Sequence, residues 1–256
     1  MKNHISLFIF AIALLSGPVS ANDLSMTAVK DTLASIPGEH NYIYVRTPLG
    51  EDEEKNYDEI TFYDGLGREL DFAQSYGADR AGAIMAHHHL IEYDSLGRKE
   101  KQWLSTNTSF SYMSPEDLKG GVLWDYHDAG KRSYLQTNYE SSPLNRITEQ
   151  YGVGDAWGDH PARMEYLTNI PADSLRCSFY FIDDNDSLIR RGDYRSGELQ
   201  VTKATDEDGK PTYTFVDKQG RTLLTRLGRG NQQADTYFVF DRFGRIRYVL
   251  PPMIND

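Results

Sequence analysis

Three adjacent histidines, His87-His88-His89, invite the most direct chemical reading, because neutral imidazole is a common metal ligand. On a strand, side chains alternate faces, so His87 and His89 share one face and supply two ligands where a zinc site needs three or four. There is no HExxH, and His40, His127 and His160 stand in no ligand spacing, so the triplet reads as part of a polar strand. Asp183-x-Asn185-x-Ser187 and Asp206-x-Asp208-Gly209 invite a calcium reading. The first has Leu188 where an EF-hand loop needs glycine and Tyr194 where it needs a bidentate Glu, and the second is too short. Turn-capping carboxylates account for both better.

Gly152-x-Gly154 and Gly228-x-Gly230 carry Trp157 and Gln233 where a third glycine would complete a dinucleotide fingerprint. No G-x-S-x-G or P-loop occurs, and Cys177 falls in a predicted strand with no base partner supplied by a motif. The 38 acidic residues offer carboxylate pairs in number, but no spacing singles one out for glycoside hydrolysis. The expectation is no enzyme, no catalytic residue, no metal and no cofactor. A surface or periplasmic carbohydrate-binding module is the alternative, because 17 tyrosines with Trp103, Trp124 and Trp157 offer apolar ring faces with polar edges for sugars. The competing role of those rings is to cover a sheet core.

What positions these side chains is a repeated turn. Phe62-Tyr63-Asp64-Gly65-Leu66-Gly67-Arg68, Glu92-Tyr93-Asp94-Ser95-Leu96-Gly97-Arg98, Phe215-Val216-Asp217-Lys218-Gln219-Gly220-Arg221 and Val239-Phe240-Asp241-Arg242-Phe243-Gly244-Arg245 all place a large apolar or aromatic residue before Asp-x-x-Gly-Arg. Asp at the first position of a type I turn accepts backbone N–H bonds just ahead, and Gly three residues later takes the left-handed conformation that closes a bulged hairpin. The twelve residues Asp64, Gly67, Arg68, Asp94, Gly97, Arg98, Asp217, Gly220, Arg221, Asp241, Gly244 and Arg245 are therefore read as structural turn residues. Their Asp–Arg pairs, if exposed, contribute only about 0–1 kcal/mol each.

The flanks suit strands: Ile60–Tyr63, Leu90–Tyr93, Thr212–Val216 and Tyr237–Phe240 lead into the turns, and Arg221–Thr225 and Arg245–Val249 return from them. Asp206-Glu207-Asp208-Gly209 turns Leu199–Lys203 back into Tyr213–Val216, and Cys177–Ile182 is a further strand ending in a polar turn. The Asp-to-Asp intervals are 30, 123 and 24 residues, so the array is interrupted, with Tyr134–Asn138 and Arg163–Leu167 as strands and glycine-rich loops at Gly120-Gly121 and Tyr151–Gly158 in the long interval. Short helices are expected at Ser25–Ser35, before Pro37, and from Ser114-Pro115. The fold class is mainly β, an antiparallel hairpin meander with long loops and at most short helices.

The chain of 256 residues has a formal charge of −11 and one cysteine. This disfavours nucleic acid and anionic membrane surfaces as partners and excludes an internal disulfide framework. Residues 1–21 have the form of a cleaved Sec signal: Lys2, an apolar run from Ile5 to Leu15, Gly17-Pro18, then Val19-Ser20-Ala21. That run is shorter than the roughly 20 residues that span a bilayer. The expected product is exported, to the periplasm, cell surface or medium, with no integral membrane segment after cleavage. Residues 22–39 are expected to be a flexible segment or short helix and 40–256 the β domain. A strand at Arg245–Leu250 would leave a sheet edge prone to pair with another β surface.

Tyr63–Arg68 and Tyr93–Arg98 match the Tyr-Asp-x-x-Gly-Arg hallmark of Rhs/YD-repeat proteins, while Val216 and Phe240 replace the tyrosine in the other copies. The ordered set Asn41–Thr47, Phe62–Arg68, Glu140–Arg146, Thr205–Gly209 and Tyr248–Met253 resembles the uncharacterised N-terminal domain that precedes the repeats in large secreted bacterial Rhs proteins. The resemblance covers roughly residues 40–256 and implies a toxin-encapsulating β-shell class, with further Rhs/YD-repeat segments as partners. The family's downstream shell, self-cleaving core and toxin find no counterpart here, so those activities are not carried over. A truncated or stand-alone member with a structural role is expected.

Overall fold

The structure, a computed structural model, describes residues 29–30, 33–34, 36, 38, 40–48, 56–78, 83–228 and 233–252. The expected signal, part of the Ser25–Ser35 helix, Gly230 and Met253 lie outside the described residues, while residues 29–30 and 33–34 are helical. The chain is mainly antiparallel β, as the repeated turns imply. The expected domain 40–256 comprises two compact units, the first running to Gln136 and including Gly152–Ala156, the second formed by Thr137–Tyr151 and the chain from Trp157 onward.

In the first unit, β1 (Asn41–Pro48), β2 (Asn56–Tyr63), β3 (Glu69–Ala78), β4 (Ile84–Tyr93) and β5 (Lys99–Trp103) follow in sheet order, and β6 (Thr106–Ser109) also pairs with β4. The period of two is plain in β2 and β4, where alternate residues are buried. Ile60 and Phe62, Ala73, and Ile84 and Ala86 thus meet Val29, Ile36 and Phe110 in one core. Asp58 is buried on the same face and is satisfied by Tyr44 Oη at 2.6 Å and by the Arg46 guanidinium at 2.7 and 2.9 Å. A buried carboxylate without such partners would cost several kcal/mol.

Helix α1 (Pro115–Asp125) starts where Ser114 caps it: Ser114 Oγ accepts the Asp117 N–H at 3.1 Å, Pro115 follows, and Glu116 and Asp117 occupy the first turn. It buries Leu118 and Val122, one turn apart. The expected loop at Gly120-Gly121 is therefore a correction, since both glycines lie within α1. The reason is close packing at one of them: a Cβ on Gly121 would lie 2.7 Å from Thr106 Oγ1, which is itself held by a 2.7 Å bond to Asp125. Tyr151–Gly158 also contains structure, the end of a strand and a 3-10 turn at Asp155–Trp157.

Strand β7 (Tyr134–Tyr139) contributes residues 134–136 to the first unit, paired with β5. The second unit continues with β8 (Ile147–Tyr151), β9 (Ala162–Thr168), β12 (Gln200–Thr205), β13 (Pro211–Val216), β14 (Thr222–Leu227), β15 (Ala234–Phe240) and β16 (Ile246–Leu250) in sheet order. Between β9 and β12 the chain leaves the sheet as a separate ribbon, β10 (Ser178–Ile182) with β11 (Leu188–Asp193). Val201, Phe215, Leu224 and Val239 form the buried centre, and Tyr180 and Ile182 of the ribbon pack onto it. The 123-residue interval between the second and third turns thus holds more antiparallel strands, with α1 and the ribbon as its departures from the sheet.

Gly121→Ala is expected to destabilise the protein by about 1–3 kcal/mol through overpacking against Thr106. Gly120→Ala, whose added Cβ meets nothing within 4 Å, is expected to raise stability by up to about 1 kcal/mol through helix propensity. Thermal unfolding of the two variants gives opposite shifts in Tm if the helix packs as described.

Candidate functional site

Each Asp-x-x-Gly-Arg turn is a compact clamp at a hairpin tip. In the third copy, Asp217 Oδ1 accepts the N–H of Gln219 at 2.9 Å and of Arg221 at 3.0 Å, and Oδ2 accepts the Arg221 Nε–H at 2.7 Å. The backbones of Asp217 and Arg221 also pair, and the Gly220 N–H donates to the Asp217 carbonyl, each at 3.0 Å. Asp64, Asp94 and Asp241 repeat this arrangement with Arg68, Arg98 and Arg245. Gly67, Gly97, Gly220 and Gly244 all have φ between +78° and +80°, and the strand register shifts beside each turn.

Burial pushes the carboxyls of Asp64, Asp94 and Asp217 up, but the Arg backbone N–H, the guanidinium and the N–H two residues ahead together outweigh it and hold all three below the ordinary carboxylate value. At Asp241 the Arg245 N–H contributes most, and the direction is the same.

The arginine of one clamp also reaches the aromatic residue that precedes the acid of another. Arg68 lies 4.4 Å from the ring centre of Tyr93, and Arg221 lies 5.1 Å from that of Phe240. Tyr93 Oη in turn donates to the Glu69 carbonyl at 2.7 Å. In these two copies the aromatic residue is therefore a seat for a neighbouring hairpin's guanidinium. Arg245 instead stacks on Phe243 within its own turn, at 5.1 Å.

Three further turns each use part of this arrangement. Glu140 receives the Arg146 guanidinium at 2.7 and 2.8 Å across a longer turn in which Asn145 takes φ +54°, and Arg146 lies 4.5 Å from the Tyr166 ring. The guanidinium and the Ser142 hydroxyl bring the Glu140 carboxyl down to about 2. Asp183 Oδ1 accepts the Asn185 and Ser187 N–H groups, and Asp206 Oδ1 accepts that of Lys210, so both calcium-like segments are capped turns.

His87 and His89 share a face of β4, and His88 points to the other, where it is buried. Its Nδ1 is 2.6 Å from Asp71 and its Nε2 is 2.9 Å from the Ser109 carbonyl. Both ring nitrogens are therefore occupied by protein partners, and the buried ring offers neither to a ligand or substrate. His87 stacks on Tyr76 and contacts Asn107, and His40 stacks on Tyr112 at 3.6 Å. Among the described residues no group of three or more His, Cys, Asp or Glu could hold a metal ion, and no helix is long and apolar enough to cross a membrane. Cys177 is buried immediately before β10, and burial pushes its thiol up to about 12, which removes it as a nucleophile at neutral pH.

The ribbon creates a concave feature in the second unit. A cavity of about 400 Å³ is lined by Phe179, Phe181, Tyr194 and Phe240 with Arg221 and Asp241, so two clamps contribute polar groups to an aromatic wall. Its position is fixed at both ends of the ribbon. Arg226, paired with Asp235 at 2.6 Å, donates to the carbonyls of Ser174 and Arg176 at 3.0 and 2.9 Å. The buried Asn169 donates to the Arg195 carbonyl and accepts the Leu199 N–H, both at 2.8 Å. Trp103, Trp124 and Trp157 do not line this cavity, and Trp124 and Trp157 stand exposed. Nothing in the sequence singles out Phe179 or Tyr194, whose convergence depends on the ribbon leaving the sheet.

These features define an antiparallel β protein built from acid-clamped hairpins. Residues 41–168, half of the chain, match the family model described as Domain of unknown function (DUF6443), and the chain belongs to that family. No curated protein matches the chain.

A double-mutant cycle with Arg68→Ala and Tyr93→Ala is expected to give a coupling of about 0.5–2 kcal/mol in denaturant unfolding, and zero coupling would remove the role assigned to the motif's aromatic residue. Because folded Glu140 titrates below its ordinary value of 4.5, its ionised form stabilises the fold above that pH, and this contribution is lost as pH falls toward about 2. Glu140→Gln is expected to lower stability at pH 7 and to flatten the loss between pH 4.5 and 2, read by denaturant melts across that range.

Proposed function

We propose that the chain is a non-catalytic, exported structural protein, equivalent to the N-terminal domain that precedes an Rhs/YD-repeat shell, on which further repeat hairpins or another β edge pack. The observation that carries this reading is the seating of one clamp's arginine on the next hairpin's aromatic ring, a contact that couples neighbouring hairpins. The last clamp retains the capacity to extend it: the Arg245 side chain is 67% exposed, against 33% for Arg221, and folds back on its own turn. Among the described residues β16 is paired on one side only, and Ile246 and Val249 are exposed along it. A second reading, a surface or periplasmic carbohydrate-binding module, is favoured by the aromatic wall of the ribbon cavity.

Size-exclusion chromatography with light scattering is expected to show concentration-dependent association that Val249→Lys, a charge on the open edge, reduces. A strict monomer at high concentration would overturn edge packing, and turnover of a glycan by the purified folded protein would overturn the non-catalytic role.

A further inference from the structure

We infer that the outer face of the β10–β11 ribbon binds an acidic saccharide, a sugar bearing a carboxylate; this rests on the carbohydrate-binding reading above and gives it a place and a ligand class. Tyr180 and Ile182 turn toward the core, so Phe179 and Phe181 project from the opposite face of β10. Their rings lie 5.8 Å apart and within 24° of parallel, and Tyr194 meets Phe179 edge-on at 4.9 Å. This is an apolar platform with one closed end, the form that receives the C–H face of a pyranose ring.

Beside the platform is a second cavity of about 410 Å³, within the size range of small-molecule sites, lined by Phe179, Tyr194, Arg191, Asp193, Arg195 and Glu198. The register shift opposite Phe179, with Gly192 at φ +80°, is the bulge that flanks Arg191. The four charges are not equivalent. Asp193 is engaged by Arg190 and Ser178, each at 3.3 Å, and Glu198 accepts the Arg195 N–H at 2.9 Å. Among the described residues the guanidiniums of Arg191 and Arg195 have no hydrogen-bond or ion-pair partner. In a chain of net charge −11, two uncommitted forks beside an aromatic platform select a ligand carboxylate, while the engaged acids keep lone pairs for hydroxyls.

The test is isothermal titration of the folded protein with uronate-bearing oligosaccharides and with the same oligosaccharides after reduction of each carboxyl to a neutral alcohol. Binding of the uronates, weakened at least tenfold by carboxyl reduction, by Phe179→Ala and by the combined Arg191→Ala and Arg195→Ala, is the expected result. Circular dichroism serves as the control for folding. Equal binding of reduced sugars, indifferent to the two arginines, overturns the acidic-sugar inference and leaves the carbohydrate reading standing. Binding of neither set overturns both.

Discussion

One carboxylate at the tip of each Asp-x-x-Gly-Arg hairpin satisfies two backbone N–H groups with one oxygen and a guanidinium with the other, and the local course of the chain follows from that demand. The acid must begin the turn, an αL residue must stand three positions on, and the arginine must return at the fourth. This fixes which residues of the two strands oppose one another. Because a one-residue slip would turn every buried side chain to the wrong face, the clamp indirectly protects the cores around Phe62 and Phe215. The net energy of an exposed acid–arginine pair is small. Its effect on register is the larger consequence.

The second level is lateral. A guanidinium held rigid by its own turn can present its flat face to a neighbouring ring at little entropic cost, as Arg68 does to Tyr93 and Arg221 to Phe240. The motif therefore works both within a hairpin and between hairpins. Where the turn is enlarged, as from Glu140 to Arg146, the longer acid side chain and Asn145 in the left-handed region preserve both contacts.

The four Asp-x-x-Gly-Arg turns were legible in the sequence because their chemistry is complete within five residues. Glu140–Arg146 was not legible as a clamp: Glu is not a turn former, and its role appears only once Asn145 is seen to bend the chain. Gly120-Gly121 has the composition of a loop; the Ser114 cap and the burial of Leu118 and Val122 place it in a helix, and the Thr106 side chain, distant in sequence, keeps position 121 small. Strands β5 and β6 read KEKQW and TNTS, with little apolar content, and form because β4 offers them partners. The burial of His88 against Asp71 depends on the β3–β4 register, and the aromatic cavity depends on β10 and β11 leaving the sheet, neither of which is encoded by spacing alone.

Arg226 and Asn169 act as rivets for the ribbon, one before its first strand and one after its second, each holding backbone carbonyls of the connecting segments. Cys177 is the sole thiol of the chain and lies under the first rivet. A thiol so placed is shielded from alkylating reagents until the ribbon lifts, so its labelling rate is a built-in clock for that opening, separate from unfolding of the strands beneath.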